Sequence, residues 1–428
     1  MFLPVQFGTF SLQSHPPVMR MLSAAMNAVD AGAAVKSHLR ENPLPTANRT
    51  FAFGLGKAAC AMTSALADST ELAESLIITK HVSSFSDLTR LKRVTVMEGN
   101  HPVPGSDSVD AGYAALEFVS QLTPDDLLIC LISGGGSALM AAPYIPLGDL
   151  QALTSVLLAC GARIDEINTL RRHLDQLKGG GLARSANGAQ IVSLLLSDVV
   201  NDSIEAIASG PTTPDPTTNA DVLSIIEKYG LKDKVPAVIV SSMRETPKPG
   251  DPTFDRVQNT VIASNLIALY AAQAQAQAEG IEAKILRADL QGEASIVGLR
   301  MAVQLRESIR QIRRPFCLLA GGETTVTLKG YGKGGRNQEL ALGAVDALAG
   351  LQDVMLVSLA TDGEDGPTDA AGAVVTGESA QRAKRLGMSA KGYLFRNDAY
   401  TFFDALGDLI QIGPSGTNVN DLVLCFAF

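Results

Sequence analysis

A two-domain α/β protein is the fold this sequence predicts, and three observations predict it. Short apolar runs alternate with stretches of helical spacing along the chain, the pattern of strand–helix–strand units built on parallel sheets. One run, Asp126 to Ile132, is almost continuously apolar, as strands covered on both faces are. A polar, Pro-rich stretch from Thr246 to Pro252 then interrupts the alternation before it resumes, which marks a linker. A chain of 428 residues suits more than one domain, and the expected division is 1–245 and 250–428.

The elements follow in order. Met19 to Val35 has helical spacing. Thr50 to Gly54 reads as the first strand, closed by Gly54-Leu55-Gly56-Lys57 and followed by small residues suited to a helix packed closely on a sheet. Ser75 to Thr79 and Leu91 to Met97 are the next strands. Ser106 or Asp107 caps a helix with apolar positions at Val109, Tyr113, Leu116 and Val119. The strand Asp126 to Ile132 ends in Ser133-Gly-Gly-Gly-Ser137 and another small-residue helix start. Asp165 to Leu182 is a helix interrupted by a basic, glycine-rich turn. Gln190 to Leu196 is a strand ending at Ser197-Asp198, and Asp221 to Tyr229 is a helix stopped by Gly230. Beyond the linker, Thr260 to Ile262, Ile281 to Leu286, Phe316 to Ala320, Val354 to Leu359 and Leu422 to Phe426 read as strands. Between them, Leu266 to Glu279, Gly292 to Arg313, the stretch after Arg336, Ser379 to Arg385 and Asn397 to Leu406 read as helices.

Composition excludes several classes. The chain is 46% hydrophobic and 18% charged, an ordinary globular balance. A net charge of −9 argues against nucleic-acid or anionic-membrane partners, so local cationic loops point to small anionic ligands. Five scattered cysteines without CxxC spacing fit neither a metal nor a disulfide framework. They read as thiols of a reducing cytosol. No basic n-region opens the chain and no apolar run is long enough for a bilayer; a cytoplasmic location is expected. Self-association is left open.

In open α/β sheets ligands bind beyond the carboxyl ends of strands, and five such ends here are polar or glycine-rich: Gly56-Lys57, Ser133 to Ser137, Ser197-Asp198, Gly321 to Glu323 and Thr361 to Gly366. Each has a structural reading beside the functional one. Lys57 follows a strand-to-helix turn, where a cation suits a helix N-terminus only if an anion is present; otherwise it is a solvated lysine. Ser133, Gly134, Gly135, Gly136 and Ser137 can form a nest of N–H donors or a tight turn. Lys178, Gly179 and Gly180 can cradle an anion or cap a helix. Asp198, Asp362 and Asp365 suit Mg²⁺ binding or proton acceptance, or else turns and caps. Gly330, Gly332, Gly334 and Gly335, with Lys329, Lys333 and Arg336, make either a phosphate loop using φ > 0 or a solvated hairpin tip. Gly56, Glu323 and Asn337 complete the candidate binding set. His101 and His173 are isolated and read as structural. A dinucleotide fingerprint is only partly met, because the second strand ends in Thr79-Lys80-His81 rather than an acid. No Walker A loop occurs.

The runs GLGKAACAM, GNHPVPGSDS, LISGGGSALM, INTLRRHLDQLKGGGLA, LLLSDVVNDSIEAIASGPTTPDPTT, DLQGEA, LAGGETTVTLKGYGKGGRNQELAL, ATDGEDGPTDAAGA and GPSGTNVNDL resemble those of the glycerate 2-kinases with a C-terminal MOFRL domain, some formerly labelled hydroxypyruvate reductases. They span almost the whole chain. The resemblance implies a larger Rossmann-like N-terminal domain with a parallel sheet, a smaller α/β C-terminal domain with its MOFRL region at about 315–421, and an active site in the cleft between them. It implies ATP and Mg²⁺ as cofactors, D-glycerate as the small-molecule substrate, and phosphorylation at the 2-hydroxyl. It makes Lys57 and Arg336 the catalytic cations. The needs of phosphoryl transfer add Asp198, with Asp362 or Asp365, to hold Mg²⁺ or accept the hydroxyl proton. Asn201 and Asn100 are small departures from the commoner motifs. The rival expectations are an NAD(P)H-dependent hydroxypyruvate reductase and a non-catalytic binding protein.

Overall fold

The computed structural model describes residues 7–81, 88, 91–232 and 234–428. They form two compact units, each with a six-stranded sheet.

The first unit is Ala31–Ile262. Its strands are β1 (Arg49–Leu55), β2 (Glu74–Thr79), β3 (Val94–Glu98), β4 (Asp126–Ile132), β5 (Gln190–Leu196) and β6 (Val257–Ala263). They lie in the order β3-β2-β1-β4-β5-β6, the order of the doubly wound dinucleotide-binding fold. The pairs from β3 across to β5 are all parallel. Burial on both faces explains the apolar runs: all seven residues of β4 are buried. Phe51 and Phe53 of β1 meet Phe118 from the helix Ser106–Ser120, with the Phe51 and Phe118 rings edge-on at 6.0 Å. Gly54 lets the helix Ala59–Ala67 approach, since a β-carbon there would lie 2.9 Å from the Thr63 hydroxyl. A second apolar cluster joins the helices Leu147–Ala159, Ile164–His173 and Asn219–Lys228. The first of these is absent from the expected elements. It opens at Pro146 without a side-chain cap, so its start carries no polar signal.

The second unit is Ala263–Phe428 together with the N-terminal residues up to Asp30. Its strands are β7 (Glu282–Leu290), β8 (Phe316–Gly322), β9 (Val354–Ala360), β10 (Gly372–Thr376), β11 (Leu409–Ile410) and β12 (Asp421–Ala427), ordered β11-β10-β9-β12-β8-β7. Only β7 and β8 pair in parallel; β12 runs antiparallel between β8 and β9, and β10 antiparallel to β9 and β11. A parallel sheet was expected throughout. The link from β9 to β10 carries no helix, and a parallel crossover needs about a dozen residues or more, usually with one. The helices Ala294–Ser308 and Arg336–Leu348 pack on this sheet and on each other. A β-carbon at Gly298 would strike the Leu340 carbonyl, and one at Gly343 the Ser295 carbonyl.

The unit boundaries differ from the expected 1–245 and 250–428. The single helix expected over Met19 to Val35 is two, Pro16–Ala28 and Ala31–Glu41. The first packs on the helix Asn265–Ala278, reinforced by a bidentate Arg20–Glu279 pair at 2.7 Å, and so belongs with the C-terminal residues. At the other end, the chain past Pro252 still supplies β6 to the first sheet.

Candidate active site

In the first unit the chain runs outward from β1 to β3, then returns to place β4 on the other side of β1. The crevice beyond β1 and β4 is therefore the topological switch point, where such folds bind ligands. Gly56, at φ 115°, turns the chain off β1. A β-carbon on it would lie 2.7 Å from the Ser133 carbonyl carbon, so only glycine lets the two turns meet. They are stitched together: the Lys57 N–H donates to the Gly134 carbonyl at 3.1 Å, and the Ala58 N–H to the Ser133 hydroxyl at 3.0 Å. The Lys57 side chain is exposed, and among the described residues its ammonium forms no ion pair.

The turn after β4 keeps its donors. Gly135, at φ 88°, starts the short helix Gly136–Leu139. Among the described residues the N–H groups of Gly134, Gly135, Gly136 and Ser137 bond to nothing within the chain. The Ser137 hydroxyl pairs with that of Ser209 at 2.8 Å. Asp198, just past β5, lies against this turn: a β-carbon at Gly134 would sit 2.6 Å from its carboxyl carbon. Burial raises the Asp198 carboxyl above its ordinary range, with Lys57 acting in opposition. His101, read as structural from the sequence, stands here too. A β-carbon at Gly135 would be 3.3 Å from its ring and 3.6 Å from Cε of Lys57.

The other glycine triplet corrects its expectation. The Lys178 side chain is buried, donating to Asp175 at 2.7 Å and to the Met140 carbonyl at 2.8 Å. The Gly179 and Gly180 N–H groups donate to the carbonyls of Ser209 and Gly210 at 2.9 and 2.8 Å, and Gly181 to that of Lys178 at 3.1 Å. Lys178, Gly179 and Gly180 thus tie the framework together, the two glycine N–H groups being spent on carbonyls and the ammonium buried against Asp175. His173 is fully buried, with Nδ1 3.0 Å from the Thr169 carbonyl.

In the second unit the site candidates gather at the carboxyl ends of β8 and β9. Arg336 opens the helix Arg336–Leu348 and is held on three sides. Its Nε and Nη2 donate to the two Asp421 oxygens at 2.6 and 3.0 Å, and Nη1 lies 2.9 Å from Glu323. Asp421 reaches this edge because β12 is antiparallel: its first residue pairs with Gly322 and Ala360, the last of β8 and β9. Asp365 accepts the Asn337 and Gln338 N–H groups at 3.0 and 2.8 Å. It is the buried cap of the helix, and burial pushes its carboxyl up to about 6. Asn337, expected to touch ligand, is buried and accepts from the Ser358 hydroxyl at 2.6 Å. Asp362 accepts the Glu364 N–H at 3.2 Å.

Asp365 has both oxygens engaged by backbone N–H groups, and among the described residues no group of three or more His, Cys, Asp or Glu side chains is placed to hold an ion.

The glycine-rich loop also differs from expectation. Gly330, Gly332, Gly334 and Gly335 do not have positive φ. They are needed for close approach: β-carbons at Gly330 and Gly332 would strike Arg396 and Asp398. The Lys329 and Gly330 N–H groups donate to the Asn397 side chain at 2.7 and 2.9 Å, and Gly332 to the Arg396 carbonyl at 2.9 Å. Asn397 in turn donates to buried Glu339 at 3.1 Å. His101 reads as structural from the sequence, and Asp421, Asn397 and Glu339 have no role there; Asp421 and Glu339 lie in the runs GPSGTNVNDL and GRNQEL, whose local pattern does not mark them.

Two family descriptions match the chain: a domain of unknown function, DUF4147, over residues 18–244, and the MOFRL family over 316–421. The D-glycerate 2-kinase of Thermotoga maritima is 38% identical, over 95% of this chain and 96% of its own. The human glycerate kinase is 43% identical over 78% of this chain and 74% of its own. A relative from Agrobacterium vitis, 40% identical over 94% of this chain and 92% of its own, is provisionally named a hydroxypyruvate reductase. The crystal structure of the Thermotoga maritima glycerate kinase superposes with a TM-score of 0.90 at 37% identity, covering 98% of this chain and all of that one. By these matches the chain belongs to the glycerate 2-kinase family that joins the DUF4147 and MOFRL regions.

Proposed function

We propose that this protein transfers the γ-phosphoryl group of ATP to the 2-hydroxyl of D-glycerate, giving 2-phosphoglycerate and ADP. The observation that carries the chemistry is the switch point of the first unit. There a lysine and four backbone N–H donors that find no partner among the described residues, and a half-buried carboxylate, are held at two glycine turns. Phosphoryl transfer asks for little covalent work from a protein; it needs positioning and stabilisation of spread negative charge.

In this reading Asp198 accepts the proton of the attacking hydroxyl. The oxygen so freed forms its bond to the γ-phosphorus while the bond to the ADP oxygen breaks. Lys57 and the Gly134 to Ser137 donors neutralise phosphoryl or carboxylate oxygens. In the second unit Arg336, held by Asp421 and Glu323, presents a guanidinium of fixed fork geometry suited to a phosphate or carboxylate. A magnesium ion bound with the nucleotide would screen the phosphate charge. The chain works in a reducing cytosol, a reading supported by free, buried Cys130, Cys317 and Cys425.

The reductase reading has nothing to support it at β2, which ends in Thr79 and Lys80 where a ribose-binding acid is needed. One experiment separates the readings. Purified protein is incubated with D-glycerate, Mg²⁺ and ATP, and separately with hydroxypyruvate and NADH. ADP with 2-phosphoglycerate is expected; NADH oxidation without ADP would overturn the kinase reading.

A further inference from the structure

The loop after β3 is braced around a residue whose side chain makes no hydrogen bond to the described residues. β3 is the edge strand, two strands away from β1, yet the loop reaches the turn after β4. Gly99 donates to the Thr79 carbonyl at 2.9 Å and packs so closely on Leu139 that a β-carbon would lie 2.7 Å from its Cα. The Asn100 backbone donates to the Ser108 hydroxyl at 2.9 Å, and its side chain to Asp107 at 3.0 Å. What this bracing presents is His101, half-buried beside Gly135 and Lys57. Among the described residues neither imidazole nitrogen bonds to another group of the chain.

The surroundings define what it would bind. The charged groups acting on the ring are Lys57 from the β1 turn and Lys80 from the end of β2. Asp198 lies one glycine away, against Gly134. Burial first, then the two ammonium groups, lower the imidazole's affinity for a proton. A neutral ring offers one N–H donor and one acceptor nitrogen. Two cations and a two-sided hydrogen-bonding group, beside a carboxylate that would take a hydroxyl proton, suit a small 2-hydroxy carboxylate better than the polyphosphate of a nucleotide.

We propose that His101 contacts the hydroxy acid directly and fixes which hydroxyl is presented to Asp198. This rests on the kinase reading above. When the substrate carboxylate binds, its charge offsets the two lysines and the ring regains proton affinity, so glycerate binding should take up protons in mildly acidic solution.

The test uses full-length His101→Ala and His101→Gln beside wild type. Steady-state kinetics should show kcat/KM for D-glycerate lowered by about tenfold or more in His101→Ala, with KM for ATP unchanged and partial recovery in His101→Gln. Calorimetry of D-glycerate binding without nucleotide, in two buffers of different ionisation enthalpy at about pH 6, should show proton uptake in wild type that is lost in His101→Gln. Glycerate kinetics and proton uptake unchanged in both variants would overturn the proposal. So would equal loss toward both substrates with a lowered melting temperature, which would mark a structural role. If wild type binds glycerate but never phosphorylates it, the kinase reading fails while the binding arm still decides on His101.

Discussion

Two glycine triplets in the first unit look alike in sequence and do opposite things. Ser133-Gly-Gly-Gly-Ser137 follows β4, and Lys178-Gly-Gly-Gly181 follows the helix Ile164–His173. Each lies near a lysine. After β4 the N–H groups of 134–137 have no partner within the described chain, and Lys57 beside them is exposed. In the second triplet every glycine N–H is spent on a carbonyl, and Lys178 is buried against Asp175. Glycine content therefore does not make an anion site. What matters is whether the fold leaves donors unsaturated and charge uncompensated.

The sharpest way to break this contrast is to remove each lysine. Lys57→Ala should lower kcat by about a hundredfold or more, the scale of losing one transition-state charge contact. The melting temperature should be unchanged, because the side chain is exposed. A variant that loses stability while keeping turnover would reverse its assignment. Lys178→Met should do the opposite: it removes the counter-charge of buried Asp175, which keeps only its backbone N–H donors, costing about 3 kcal/mol, read from the urea midpoint, with KM values of the surviving fold unchanged.

Arg336→Lys comes next. It exchanges a fork bonded to both Asp421 oxygens for a point charge. A fall in kcat of about tenfold is expected, with Asp421→Asn reproducing part of it; wild-type turnover in both would separate Arg336 from the reaction.

The smallest effect is in pH. Burial pushes Asp365 up to about 6, against about 3.9 in an unfolded chain. Between those values the folded chain holds a proton the unfolded one has released. The group's contribution to stability is therefore full below about pH 4 and is lost as pH rises through about 6. Asp365→Asn should flatten that slope in urea midpoints measured at pH 4.5 and 7. A slope identical to wild type would place the titration elsewhere.

Much of this molecule could be read from the chain alone. β4 and β5 coincide with their expected bounds because burial on both faces leaves an uninterrupted apolar run. Lys57, Ser133 to Ser137 and Asp198 are legible as strand-end residues, and in the first unit these strand ends touch one another. The remaining features depended on pairing. Asp421 was overlooked because a parallel last strand would start at the opposite edge; its place beside Arg336 follows from β12 running antiparallel. Asn337 and Asp365 looked like ligand-binding groups, but the fold uses them to satisfy Ser358 and the first turn of a helix.

The sequence by itself determined the alternation of strands and helices, the family motifs and the strand ends where chemistry gathers. These are local properties: periodicity needs only neighbours, and a glycine or lysine at a strand end is visible where it stands. Only the tertiary structure decided which of those groups are free. It spent the Gly179 N–H on Ser209 and Lys178 on Asp175, left Lys57 and the 134–137 donors unspent, and carried His101 from the sheet edge to the switch point. Saturation of a hydrogen bond or a charge is settled between residues distant in the chain, and no local pattern records it.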